Sequence, residues 1–160
     1  MTASVAAWQR LSLPVITLDD LDGIRRFVRV ALPVETHGGV TEAVVLALDE
    51  VCANLAMHGY AGRTPGGADI AIQSDHDAVR IVVEDAGVPF HPDSAPEPDL
   101  ESDWQERRVG GLGWFFVRQI MDECTYETDA GTNRLTLVKL RGPATTAAPD
   151  STNTQGDPRE

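Results

Sequence analysis

The chain has 160 residues, enough to bury the core of one compact domain and leave a tail. With 25 acidic against 13 basic residues its formal charge is −12, which argues against nucleic acid as the main partner, because neutralising phosphates takes clustered Lys and Arg. No apolar run approaches bilayer length and no secretory apolar stretch follows the start, so a soluble, cytoplasmic protein without a membrane partner is expected.

Residues 11–18 mix leucine with β-branched side chains as an opening strand does, and Pro14 points to a sheet edge. Asp19 and Asp20 are placed to cap a helix that carries Ile24, Phe27, Val28 and Ala31 at helical spacing, and Pro33 ends it. A longer helix is expected from about 35 to 58. Along it Val40, Ala43, Val44, Ala47, Leu48, Val51 and Leu55 recur every three or four residues, and Gly59 stops it. Residues 69–74 and 79–84 alternate about a turn, the pattern of a β-hairpin. From 89 to 108 prolines and acids replace apolar periodicity, which predicts a long loop of the lid type. The glycines at 110–113 then open a third helix carrying Phe116, Val117, Ile120 and Met121, and residues 124–128 and 134–140 form a closing hairpin. Beyond Gly142 no core-forming residue remains. The expected organisation is therefore one domain over 10–141 and a disordered tail over 142–160. Cys52 falls inside the long helix and Cys124 beside a strand. Two such cysteines make neither a disulfide framework nor a zinc site, and both read as small buried hydrophobes. The fold class is α+β: an antiparallel-rich sheet with helices packed on one face.

Three local features carry chemistry. Glu50, Asn54 and His58 are four apart on the long helix and form a polar line, which a solvent-facing stripe would also give. Within it a carboxylate can orient or deprotonate a hydroxyl, and an amide oxygen is a hard neutral ligand for Mg²⁺. Asp85 and Gly87 stand at a strand end, where a carboxylate can receive a purine amino hydrogen. A turn would use the same two residue types for backbone reasons. Gly110, Gly111, Leu112 and Gly113 start a helix whose exposed N–H groups suit phosphate oxygens. A Rossmann fingerprint is absent because Phe116 holds the place of the third glycine, and no Walker A lysine or protein-kinase motif occurs.

In this order, with Gly131 and Thr132 before a last strand, the features resemble the GHKL ATPase superfamily. More closely, Asp49-Glu-Val-Cys-Ala-Asn-Leu-Ala-Met-His-Gly-Tyr60 and Gly111-Leu-Gly-Trp-Phe-Phe-Val-Arg-Gln-Ile-Met-Asp-Glu123 are similar to the anti-sigma-factor serine kinases of bacterial partner-switching systems, over roughly residues 10 to 140. The resemblance implies a two-layer α/β sandwich of the Bergerat type, its sheet mixed but mostly antiparallel. It implies ATP and Mg²⁺ as cofactors. Glu50 is then the base or orienting group, Asn54 the Mg²⁺ ligand, and Asp85 the partner of the adenine amino group, with Gly87 against the ring. Gly110, Gly111, Leu112 and Gly113 line the phosphates, and Thr132 helps to hold adenine. A lid arginine, Arg107 or Arg108, reaches the γ-phosphate. Trp114, Phe115 and Phe116 read as core or partner-facing packing.

The function so implied is a serine/threonine-protein kinase. It phosphorylates a STAS-type anti-sigma-factor antagonist and binds a sigma factor or another regulator, and members commonly form homodimers. The alternative is a nucleotide-dependent sequestering protein without kinase activity. A histidine kinase is disfavoured because His58 lies inside the ATP motif and no phospho-acceptor hairpin fits outside 10–142.

Overall fold

Alternation in the strands decides where the core lies. In β2 (Ala68–Ser74) and β3 (Ala78–Asp85), Ala68, Ile70, Ile72, Val79, Ile81 and Val83 are buried on one face, while Asp69, Arg80 and Glu84 turn to the other. The computed structural model describes residues 6–32, 39–90 and 112–142. Five strands make one sheet in the order β1-β2-β3-β5-β4, with β1 at Gln9–Leu13, β4 at Glu123–Asp129 and β5 at Thr132–Leu140. Every pairing among the described residues is antiparallel, so the expected mixed sheet is here antiparallel throughout. β1 is an edge strand ending one residue before Pro14, which lacks the N–H that a further ladder bond would need. β4 and β5 are joined by Ala130 and Gly131, both at positive φ (49° and 83°), the two-residue turn whose twist suits a tight hairpin.

The helices α1 (Leu21–Ala31), α2 (Val40–Asn54) and α3 (Leu112–Ile120) cover the apolar face. Ahead of α1, Asp20 reaches back to accept from the Thr17 N–H (2.8 Å) and hydroxyl (2.9 Å). It closes the turn before the helix instead of capping the helix from outside, as its position had suggested. Val44, Ala47, Leu48 and Cys52 of α2 are fully buried, and each large aliphatic side chain so placed contributes about 1.5–3 kcal/mol. Arg25 of α1 donates from Nε to both carboxylate oxygens of Asp49 (2.9 and 2.8 Å), and Arg29 pairs with Glu42 at 2.6 Å. These pairs contribute little stability at the surface, and they link α1 to α2, one of them at the residue next to Glu50.

The long helix does not continue as α-helix to residue 58. It ends at Asn54 and passes into one wide π-turn, Leu55–Gly59. The expected start of this helix at 35–38 lies outside the described residues, as do most of the expected lid and the tail beyond Gly142. No described helix is long and apolar enough to cross a membrane.

Candidate functional site

Glu50 and Asn54 keep their α-helical spacing, and the Asn54 amide donates to Glu50 Oε1 at 3.0 Å. That bond assigns the NH₂ end of Asn54 to the carboxylate and leaves its carbonyl oxygen available as a hard ligand. His58 falls in the π-turn and not in the α-helix that carries these two, and it stands exposed. Gly113, in the first turn of α3, lies directly against the Glu50 carboxylate, so that a Cβ at this position would overlap it. Glycine here leaves room for the Glu50 carboxylate between α2 and α3.

At the end of β3, Asp85 Oδ1 accepts from the Gly87 N–H (2.8 Å) and from Asn133 Nδ2 (2.8 Å). Gly87 is buried, and a side chain on it would collide with the Gly59 carbonyl. The close approach expected for a ligand ring is therefore made first by the protein's own backbone. Next to it, the Val88 N–H donates to Gly59 O at 2.7 Å. Tyr60 spans the same junction, its hydroxyl donating to Gly67 O (2.5 Å) and accepting from the Ala86 N–H (3.2 Å). The turn after α2 and the turn after β3 are thus stitched together.

Between them lies a cavity of about 350 Å³, within the roughly 300–1,000 Å³ range of small-molecule sites. Asn54 and His58 stand at its α2 side and Asp85 at its sheet side. Val51, Leu55, Val83 and Leu135 supply apolar walls, and Gly59, Val88, Pro89, Phe90, Trp114 and Tyr126 complete the lining. Phe90 meets Trp114 edge to face, with centroids 5.8 Å apart and rings 80° apart, and its N–H donates to the Tyr126 hydroxyl (2.8 Å). Trp114 therefore does more than fill the core: it borders the cavity, and its buried indole N–H has no hydrogen-bond partner among the described residues. The arrangement fits a nucleotide. A flat base is matched by apolar walls and by Asp85 Oδ2, which no described residue hydrogen-bonds, and the Asn54 carbonyl suits a Mg²⁺ ion beside phosphates.

Of the residues singled out from sequence, Glu50, Asn54, Asp85, Gly87 and Gly113 are brought together around this cavity or packed on its lining residues. Leu112 opens α3. Arg108, Gly110 and Gly111, with Arg107, lie outside the described residues. Thr132 is exposed at the start of β5, and its neighbour Asn133, 1% exposed, is the residue that faces Asp85 across the β3–β5 ladder. Counting back by twos from the buried Leu137 and Leu135 arrives at Asn133, so strand alternation held the signal that the Gly-Thr pair obscured.

Of the two cysteines, Cys52 is buried and Cys124 half-buried, against the sequence expectation that both are buried. Burial pushes the Cys52 thiol up to about 12, with the Asp49 charge adding to it, and burial also raises Cys124.

A sheet backed by three helices, with one cavity between a helical Glu-Asn pair and a strand-end Asp, is the plan of one family of nucleotide-binding domains. The sequence pattern of the histidine kinase-like ATPase domain matches residues 16–139, and the chain belongs to that family. Among curated proteins it is similar to the serine/threonine-protein kinase BtrW of Bordetella bronchiseptica, with 23% identity over 83% of this chain and 94% of that protein. It is also similar to the serine-protein kinase RsbW of Halalkalibacterium halodurans, 30% identical over 56% of this chain and 57% of that protein, so the match spans little more than half of that relative. Its fold is shared with the crystal structure of the RsbU and RsbW domains of Rv1364c from Mycobacterium tuberculosis, at a TM-score of 0.57 and 20% identity, covering 85% of this chain and 34% of the other.

Proposed function

We propose that this protein is an ATP-dependent serine/threonine kinase. It would phosphorylate a STAS-type anti-sigma-factor antagonist and bind a sigma factor or another regulator in alternation with that antagonist. The observation that carries the reading is the joining of two ends in one site: the Glu50–Asn54 pair on α2 and the half-satisfied Asp85 on β3, on either side of one cavity. Relatives named as serine and serine/threonine kinases support it.

In this reading Asp85 Oδ2 accepts from the adenine amino group, the apolar walls hold the ring, and Asn54 holds Mg²⁺, which offsets phosphate charge when bound. Glu50 orients the acceptor serine and takes its proton as Oγ bonds to the γ-phosphorus and the bond to the ADP oxygen breaks. The bond from Asn54 keeps the Glu50 carboxylate in one orientation for that step. Positioning and electrostatics carry the rate, because the protein itself forms no covalent intermediate. Arg108, Gly110, Gly111 and Leu112 are proposed around the phosphates, and a homodimer is proposed as the assembled form.

The test incubates the protein with Mg-ATP and candidate STAS-type proteins and maps the phosphorylated residue. Acid-stable phosphoserine or phosphothreonine on the antagonist is the expected product. ATP binding without transfer to any antagonist would instead favour the sequestering alternative, and pull-downs with ADP and ATP would then show which partner each nucleotide retains.

A further inference from the structure

Trp114 is 5% exposed, and its indole N–H is sealed from solvent without a hydrogen-bond partner among the described residues. Folded chains pair nearly all of their buried polar groups, so an orphan of this kind calls for a specific cause. Apolar packing does not supply one. The indole belongs to the core cluster and meets Phe90 edge to face, and an all-carbon ring would fill that place with no donor left unsatisfied.

The cause lies in where the residue stands. Trp114 is in the first turn of α3 and borders the cavity that Asp85 and Asn54 border from other sides. An indole nitrogen donates and never accepts, so the partner it lacks is an acceptor. Asp85 is itself an acceptor, and the Asn54 amide donates to Glu50. In a cavity with mostly apolar walls, Trp114 thus brings a donor, the opposite sense to Asp85.

Resting on the adenine-nucleotide reading above, we propose that Trp114 is a ligand-binding residue whose indole N–H donates to an acceptor atom of the bound nucleoside. A ring nitrogen of the base and a sugar hydroxyl oxygen share that chemistry, and neither is an atom that the Asp85 carboxylate can pair as an acceptor. Because the N–H is sealed, the nucleoside reaches it by shifting the contact between Trp114 and Phe90. Phe90, 47% exposed, is the partner with room to move.

The experiment measures Mg-ATP binding to the full chain by calorimetry. Replacing Trp114 by benzothienylalanine keeps the bicyclic shape and puts sulfur in place of the N–H. ATP affinity should then fall about tenfold. A series of ATP analogues follows, each with CH in place of one ring nitrogen or hydrogen in place of one sugar hydroxyl. The analogue that lacks the true acceptor should lose about as much affinity for wild type and little more for the sulfur variant, which identifies base or sugar as the source. A sulfur variant with wild-type ATP affinity overturns the proposal, and so does a series in which no analogue couples to it. Wild type that binds no ATP overturns the nucleotide reading and this inference with it. If the sulfur variant does not fold, NMR of the wild type decides, with Trp114→Phe or the remaining indole signals of Trp8 and Trp104 giving the assignment. The Trp114 N–H signal should move downfield with ATP but not with the analogue lacking its acceptor, and identical responses across the series overturn the proposal.

Discussion

At the scale of single residues, the proposed function gives Glu50 and Asp85 separable tasks, and substitutions should separate them. Glu50→Gln keeps the size and the bond from Asn54 but removes the base, so phosphoryl transfer should fall by about 10²–10⁴-fold while ATP affinity stays within a few-fold of wild type. Asp85→Asn should instead sharply weaken nucleotide binding, read by calorimetry, because the amide oxygen would accept from Gly87 and Asn133 and leave its NH₂, a donor, against the amino group of the proposed adenine. Cys52, fully buried with its thiol at about 12, should resist iodoacetamide at pH 8 in the native protein and react only after denaturation, which peptide mapping reads directly. Glu50 and Asn54 were legible in the sequence because four-residue spacing on a helix is a rigid geometric rule. Asp85 was legible because strand ends present side chains predictably. Asn133 was not, since its role depends on two hydrogen bonds to residues 48 and 46 positions away, and no local pattern contains them.

At the scale of elements, two contacts make sharp predictions. Gly113→Ala should drive the first turn of α3 into the Glu50 carboxylate, separating Glu50 from Asn54. Kinase turnover should drop by about tenfold or more with ATP binding largely kept, a split that assay and calorimetry together would show. The β2–β3 turn supplies the second. Asp75 accepts the backbone N–H groups of Ala78 and Asp77 and pairs with Arg80, which together hold its carboxyl at about 2 against an ordinary 3.8. The folded state therefore binds this proton less readily than the unfolded state. The stability it lends is complete above roughly pH 4 and is lost as pH falls through about 2. Asp75→Ala should cost roughly 1–3 kcal/mol at neutral pH and flatten the acid limb of a thermal-denaturation series. The hairpins and the helix stripe were readable from period alone. The π-turn after Asn54 was not, because it arises where the chain must bring Gly59 against Gly87, a tertiary demand that overrides the helical pattern of Leu55 and its neighbours.

At the scale of the whole molecule, nucleotide should behave as a structural ligand. Mg-ATP at a hundred times its Kd should stabilise the folded state by about 2.7 kcal/mol, raising the melting temperature by several degrees, and inosine triphosphate at the same concentration should do far less. Scanning calorimetry reads both. The sheet order β1-β2-β3-β5-β4 puts β3 at the centre, and from there Asp85 emerges among strands whose ladders are complete on both sides. The class of architecture followed from sequence because alternating strands and amphipathic helices have few ways to bury their apolar faces. Strand order did not, since the placement of β5 between β3 and β4 is fixed only by long-range pairing.

The short clasp between the Gly59 carbonyl and the Val88 N–H has a mechanical meaning. It joins the two rims of the cavity through main chain alone, so in the proposed reading the span from base end to metal end is braced like the jaws of a caliper. A gauge of that kind would sort guests by length, since a molecule engaging both jaws would have to match their spacing.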